Sequence, residues 1–203
     1  MRVAKTPGNS PVASRVSHVK HVPNIITVVR IFFAPVFITL LLIAGTDTPS
    51  PARWWGAALF IIGLGTDGID GWLARKYNVV SDFGKLMDPI ADKVLTLGAL
   101  VTLSILNELP WWVTILIAVR EIGITVYRFF MLSDHVIAAS AAGKLKTIMQ
   151  FVAISLALLP LQPIVGDWYN WLNIITMSIA TVLTLWSGYE YVRDGIRARA
   201  QKG

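Results

Sequence analysis

Asp67, Asp70, Asp88 and Asp92 place four carboxylates inside some of the most apolar sequence a protein can carry. Asp67 and Asp70 are three residues apart and Asp88 and Asp92 four apart, so helical runs around them put each pair on one helix face. Two such faces meeting would converge four negative charges beside a low-dielectric region, an arrangement that needs positive compensation. Hard divalent cations with a preference for oxygen, Mg²⁺ or Mn²⁺, are the usual compensation, and four carboxylates suffice for two ions. The plainer alternative is a set of surface acids at helix ends facing water. Ordinary surface acids have no reason, however, to share faces beside Gly71, Ala74 and Gly84.

The rest of the chain indicates where such a site sits. Of 203 residues, 55% are hydrophobic and 15% charged, where a soluble domain averages roughly 25% charged. There is no cysteine, which excludes a disulfide framework, a thiol nucleophile and a thiolate metal site. A net charge of +6 suits nucleic acid or anionic lipid headgroups equally well, and the hydropathy decides for lipid. Apolar runs recur at about 24–45, 54–74, 86–107, 111–132, 147–165 and 170–191, each near the ~20 residues that cross the hydrocarbon as helix. Pro- and Gly-bearing connections such as Gly45–Pro51 and Leu161–Gly166 separate them.

The expected fold is therefore an all-α integral membrane protein with six transmembrane helices. Residues 1–20 read as a flexible basic tail without the pattern of a signal peptide, 21–194 as the membrane domain and 195–203 as a basic C-terminal tail. Lys and Arg concentrate before the first run, between the second and third, between the fourth and fifth, and after the sixth, whereas the opposite loops offer only Arg53 beside Asp47, Glu108 and Asp167. Both termini, and the opening of the acidic site, are thus expected in the cytoplasm. Trp54, Trp55, Trp111, Trp112, Trp168, Trp171 and Tyr169 cluster at the other end as an interfacial belt.

Written out, Asp67-x₂-Asp70-Gly71-x₂-Ala74-Arg75-x₈-Gly84-x₃-Asp88-x₃-Asp92 resembles the signature of the CDP-alcohol phosphotransferase family at all eight positions and all spacings. The resemblance implies a six-helix membrane enzyme of the cytoplasmic membrane that displaces CMP from a CDP-linked alcohol with a second alcohol. The residues suit that reaction, since two ions about 3.5–4 Å apart can neutralise a pyrophosphate and stabilise the departing phosphate. Asp67, Asp70 and Asp88 are expected as metal ligands. Asp92 is expected as ligand and general base, a role that the family implies and the sequence alone does not single out. Gly71 and Ala74 leave room for a planar base and a pyrophosphate near the backbone, with close helix packing as the competing use of small residues. Arg75 offers a planar fork of donors to the nucleotide phosphates, and snorkelling to the membrane edge is a compatible second role. By resemblance, Ser81 and Gly84 also belong to the CDP-alcohol site.

Three further stretches, Pro23–Arg30 with Asn24, Thr27 and Arg30, Arg120–Thr125 with Arg128, and Gly143–Thr147 with Gln150, look like the branch of the family that makes phosphatidylglycerophosphate. Asn24, Thr27 and Arg30 are expected on the CDP-alcohol side. Arg120 and Arg128 lie deep in an apolar run, so each needs an anionic partner or ligand, and Glu121 could satisfy only one. With Lys144 and Lys146, expected as mobile charges near bulk water, they form a candidate pocket for an acceptor carrying its own phosphate. The alternative is that Arg128 pairs internally and the two lysines merely follow the cytoplasmic cation rule.

The expected reaction uses CDP-diacylglycerol and sn-glycerol 3-phosphate and releases CMP, as a step of phospholipid biosynthesis, in a cavity open laterally to the bilayer. The family implies a homodimer, and nucleic acid is not an expected partner. The rivals are the same chemistry with inositol phosphate, serine or phosphatidylglycerol as acceptor, a divalent-cation transporter, or a silent membrane scaffold. Against transport, the four acids lie at one membrane edge with no ionisable path beyond them.

Overall fold

Helices account for all regular structure among the described residues of the computed structural model. The described backbone covers 31–46, 50–76, 82–131 and 141–200, with side chains at 31–46, 50–66, 90–127 and 142–197. Helix α1 spans Ile31–Ala44. It is followed by α2 (Pro51–Lys76), α3 (Asp82–Ile105), α4 (Trp111–Met131), α5 (Ala141–Leu158), α6 (Gln162–Val165) and α7 (Trp168–Ala200).

Local chemistry sets the boundaries. The α1 helix stops at Gly45, whose φ of +58° is cheap only without a Cβ, and its N–H still donates to the Leu41 carbonyl at 3.0 Å. Pro51 opens α2 with a preset φ, and the preceding Ser50 Oγ accepts the Arg53 N–H at 3.3 Å. The end of α3 is closed by Asn107 at φ 60°, with Glu108 N–H on Leu103 O (2.9 Å) and Asn107 N–H on Ser104 O (3.1 Å). This pair of bonds is a Schellman cap.

Three expectations are corrected. The fifth apolar run is not one helix over 147–165: α5 begins at Ala141 and ends at Leu158, and α6 is a separate turn. Pro160, without an N–H and bulky against the preceding turn, stands at the break. Tyr169 is not part of an exposed belt; it is 3% exposed and its hydroxyl donates to the Leu156 carbonyl at 2.6 Å. The six tryptophans named with it are exposed. The helices also outrun the apolar segments, so Arg75 and Lys76 lie on α2, Lys85 on α3, and Lys144 and Lys146 on α5 rather than in loops. Helix α7 likewise continues through the first residues of the basic C-terminal stretch.

An apolar core with no solvent exposure joins Phe37 and Leu41 (α1), Phe60 (α2), Leu95 and Leu103 (α3), Ile117 (α4) and Ile154 (α5). Phe60 meets Phe37 edge-on at 5.8 Å and stacks on Phe151 at 6.4 Å. The α1 helix approaches α2 and α3 closely at Gly56 and Gly98, where an added Cβ would come within 2.9 Å of Leu41 and Ile38. The outer surface is apolar too: Ile43, Ile62, Val119, Val182 and Ile196 are all more than half exposed. Such a surface is matched to lipid rather than water. On length and composition alone, one described stretch, Trp168–Arg197, is long and apolar enough to cross a membrane.

Arg53 pins the end opposite the acidic motif. It is 2% exposed and donates to Glu108 through Nη1 (2.8 Å) and Nη2, to Leu158 O through Nε (3.0 Å) and to Ala157 O through Nη2 (3.2 Å). One guanidinium thus ties α2, the α3–α4 turn and the open carbonyls of α5. Arg53→Met leaves the Glu108 carboxylate and these carbonyls without their donor, and a loss of about 3 kcal/mol is expected. It is measured as the shift in chemical unfolding in detergent. Arg53→Met/Glu108→Met should recover much of that loss, and an unshifted single variant would show the pair to be idle.

Candidate active site

The alternation of helix directions brings the C-terminal half of α2 and the N-terminal half of α3 to the end away from Arg53, and the two helices pack as neighbours. Asp67 and Asp70 lie on the helical backbone of α2 and Asp88 and Asp92 on that of α3, which gives each pair the shared face required by its spacing. The donors are carboxylate oxygens on adjoining helices, a set that fits hard divalent ions rather than soft ones. Asp92 is half-buried. The side chains of Asp67, Asp70, Gly71, Ala74, Arg75, Gly84, Asp88 and Arg128 lie outside the described residues, as do Ser81, Asn24, Thr27 and Arg30 altogether.

One residue beyond Asp92, Lys93 enters a charged cluster built from four helices. Its Nζ lies 3.5 Å from Glu121 Oε2 on α4. Glu121 Oε1 accepts both Arg120 Nη1, at 3.0 Å, and the Nζ of Lys146 from α5. Arg120 Nη2 reaches α7, donating to Ser187 Oγ at 2.8 Å. Its side chain lies along Gly188, where a Cβ would come within 3.2 Å of Arg120 Cγ. Next to this seat, Ser187 Oγ donates to Thr184 O (3.1 Å) and Gln150 Nε2 to Thr184 Oγ1 (2.8 Å).

Arg120 and Lys146, named from sequence, are therefore brought together, and both are held by one carboxylate. Lys146 is 5% exposed rather than a mobile charge near bulk water, because α5 starts early enough to carry it inside and turn it toward α4. Lys144 is exposed, two residues earlier and on a different face of α5. Glu121 serves three cations at once, where the sequence suggested one. Lys93, Ser187 and Gly188 escaped the sequence reading. For Lys93 the signal was available, since it is a cation inside an apolar run, as Arg120 is. Among the described residues, three cations gather on this one carboxylate at partly buried positions. Cations held at such positions attract an anion far more strongly than the same charges in open water.

Known proteins resemble this chain over nearly its whole length. A "Probable phosphatidylglycerophosphate synthase" of Mycobacterium tuberculosis is 42% identical over 195 residues, 96% of this chain and 90% of that protein. A "CDP-diacylglycerol--glycerol-3-phosphate 3-phosphatidyltransferase" of Bacillus subtilis is 36% identical over 180 residues, covering 84% and 93% respectively. The protein of that name from Rickettsia typhi is 38% identical over 183 residues, covering 86% and 96%. The family model described as CDP-alcohol phosphatidyltransferase matches residues 20–186, which contain both the four-aspartate motif and the Glu121 cluster, and the chain belongs to that family.

Proposed function

We propose that this chain is a multi-pass membrane enzyme that transfers the phosphatidyl group of CDP-diacylglycerol to sn-glycerol 3-phosphate, forming phosphatidylglycerophosphate and CMP. The observation that points to a phosphorylated acceptor is the gathering of Lys93, Arg120 and Lys146 around Glu121, beginning one residue beyond Asp92. An acceptor with its own phosphate dianion suits these cations, whereas serine does not; between glycerol 3-phosphate and inositol phosphate the choice rests on the relatives. The names of the relatives in M. tuberculosis, B. subtilis and R. typhi support the same substrates.

Asp67, Asp70, Asp88 and Asp92 would hold two Mg²⁺ or Mn²⁺ ions, in keeping with the divalent-metal dependence general to the family. Ions bound there supply neutralisation of the pyrophosphate and stabilisation of the leaving phosphate. The chain's own residues do the rest. Asp92 accepts the proton of the glycerol phosphate hydroxyl as that oxygen bonds to the β-phosphorus of CDP-diacylglycerol, and the bond from that phosphorus to the CMP oxygen breaks. Arg75 holds the nucleotide phosphates, while Gly71 and Ala74 admit the cytidine diphosphate close to α2. Ser81, Gly84, Asn24, Thr27 and Arg30 complete the CDP-alcohol side. Arg120, Arg128 and Lys146 receive the acceptor phosphate, with Lys144 at the rim.

In this reading α1 to α5 and α7 carry the six crossings of the bilayer, with both termini and the site on the cytoplasmic face, and the enzyme works as a homodimer. A reporter fused after Gly203 should be cytoplasmic and one inserted between Thr46 and Ser50 external; a cytoplasmic signal from that loop would overturn the orientation. The acceptor is tested by assaying CMP release from CDP-diacylglycerol with one acceptor at a time, and release should require glycerol 3-phosphate. Arg120→Gln should then raise the KM for glycerol 3-phosphate about tenfold, equivalent to ~1.4 kcal/mol, with a smaller change for CDP-diacylglycerol. Saturation by glycerol 3-phosphate like that of the parent would make Arg120 purely structural.

A further inference from the structure

We propose that Glu121 is a positioning residue of the acceptor site, acting on the reaction through the cations it holds. The inference rests on the acceptor reading above and deepens it. Glu121 is 8% exposed, and its two oxygens divide the work: Oε1 takes Arg120 and Lys146, and Oε2 takes Lys93. Through them one carboxylate on α4 fixes α3 and α5. Arg120 extends the tie to α7 through Ser187 and its seat over Gly188.

This arrangement fits positioning better than neutralisation. A single carboxylate cannot neutralise three cations, and a site made only to attract an anion would do better without it. What it does provide is registry. An acceptor must reach the cations with its phosphate and Asp92 with its hydroxyl at once, so it binds well only when the offset between them matches its length. Lys93 follows Asp92 directly on α3, and its contact with Glu121 ties the helix that carries the base to the helices that carry the acceptor cations.

The test is steady-state kinetics of the purified full-length enzyme in lipid-detergent micelles with Mg²⁺, varying each substrate in turn, for the parent, Glu121→Gln and Glu121→Asp. Positioning predicts that Glu121→Gln raises the KM for glycerol 3-phosphate about tenfold while that for CDP-diacylglycerol changes by less than about twofold. If Glu121 only dampens the field, removing its charge strengthens attraction for the dianion and lowers that KM, which would overturn the proposal. A purely structural role also overturns it, and would show as less folded enzyme with both KM values unchanged in the surviving fraction. Should the Gln variant not fold, Glu121→Asp decides. It keeps the charge and withdraws the carboxylate by one methylene, so positioning predicts a raised KM for glycerol 3-phosphate and charge alone predicts none. A parent that releases no CMP with glycerol 3-phosphate overturns the acceptor assignment and this inference with it. A parent that does, beside Glu121 variants with an unchanged or lowered KM, overturns the inference alone.

Discussion

Asp67→Asn, Asp70→Asn and Asp88→Asn should each reduce phosphatidyl transfer to background, and chelation of divalent ions should do the same to the parent enzyme. The asparagine amide keeps the size of the side chain and removes the anionic donor, so the loss reports on charge and coordination rather than on packing. In the proposed site, three carboxylates in place of four would hold at least one ion too weakly for it to neutralise the pyrophosphate and stabilise the leaving phosphate. The helical backbone at all three positions argues that the substitutions leave the fold intact. Residual CMP release that persists in excess EDTA would contradict the metal-dependent mechanism.

Asp92→Asn should separate rate from binding. A general base at Asp92, as proposed, would meet the acceptor hydroxyl, and its loss should lower kcat by roughly 10²-fold or more, the order of general-base contributions. Affinity for CDP-diacylglycerol should fall less, because in the proposed site three anionic ligands and Arg75 would still address the nucleotide end. The measurement is kcat and the CDP-diacylglycerol KM in one titration, with nucleotide binding followed separately. An equal loss of rate and of nucleotide affinity would leave Asp92 a metal ligand without a role as base.

What could be read from sequence was local in origin. The positions of the long helices follow from runs of apolar residues, and the Gly45–Pro51 connection marks the end of α1 and the start of α2, whereas the stops set by Asn107 after α3 and Pro160 after α5 were not read from the sequence. The four-aspartate motif is legible for the same reason, because i,i+3 and i,i+4 spacing states which residues share a face without knowledge of the tertiary fold. The helices nevertheless ran beyond their apolar runs. Hydropathy marks where lipid begins and not where hydrogen bonding stops, so Arg75, Lys85 and Lys146 could be helical while looking like loop residues.

The ion pairs were the illegible part. Arg53 finds Glu108, Lys93 finds Glu121, Lys146 joins them, and Arg120 reaches Ser187, each across a helix interface that no local pattern announces. Sequence could state that a charge deep in an apolar run needs a partner, as for Arg120. It could not state that three cations would share one carboxylate, nor that Gly188 would make room for the arginine. Tyr169 shows the converse error, an aromatic grouped with exposed neighbours by sequence and turned inward by a hydrogen bond to the Leu156 carbonyl.

The most direct test of the central claim is a competition in defined vesicles. Purified protein is reconstituted with CDP-diacylglycerol and Mg²⁺ and given equal concentrations of glycerol 3-phosphate, inositol phosphate and serine, with phosphatidylglycerol in the bilayer. The lipid products are then identified by mass and CMP is counted. Phosphatidylglycerophosphate should be the dominant product, formed in equal amount with CMP. A different phospholipid as the main product would contradict the acceptor assignment, and divalent-cation flux across the vesicles without CMP release would contradict phosphatidyl transfer itself.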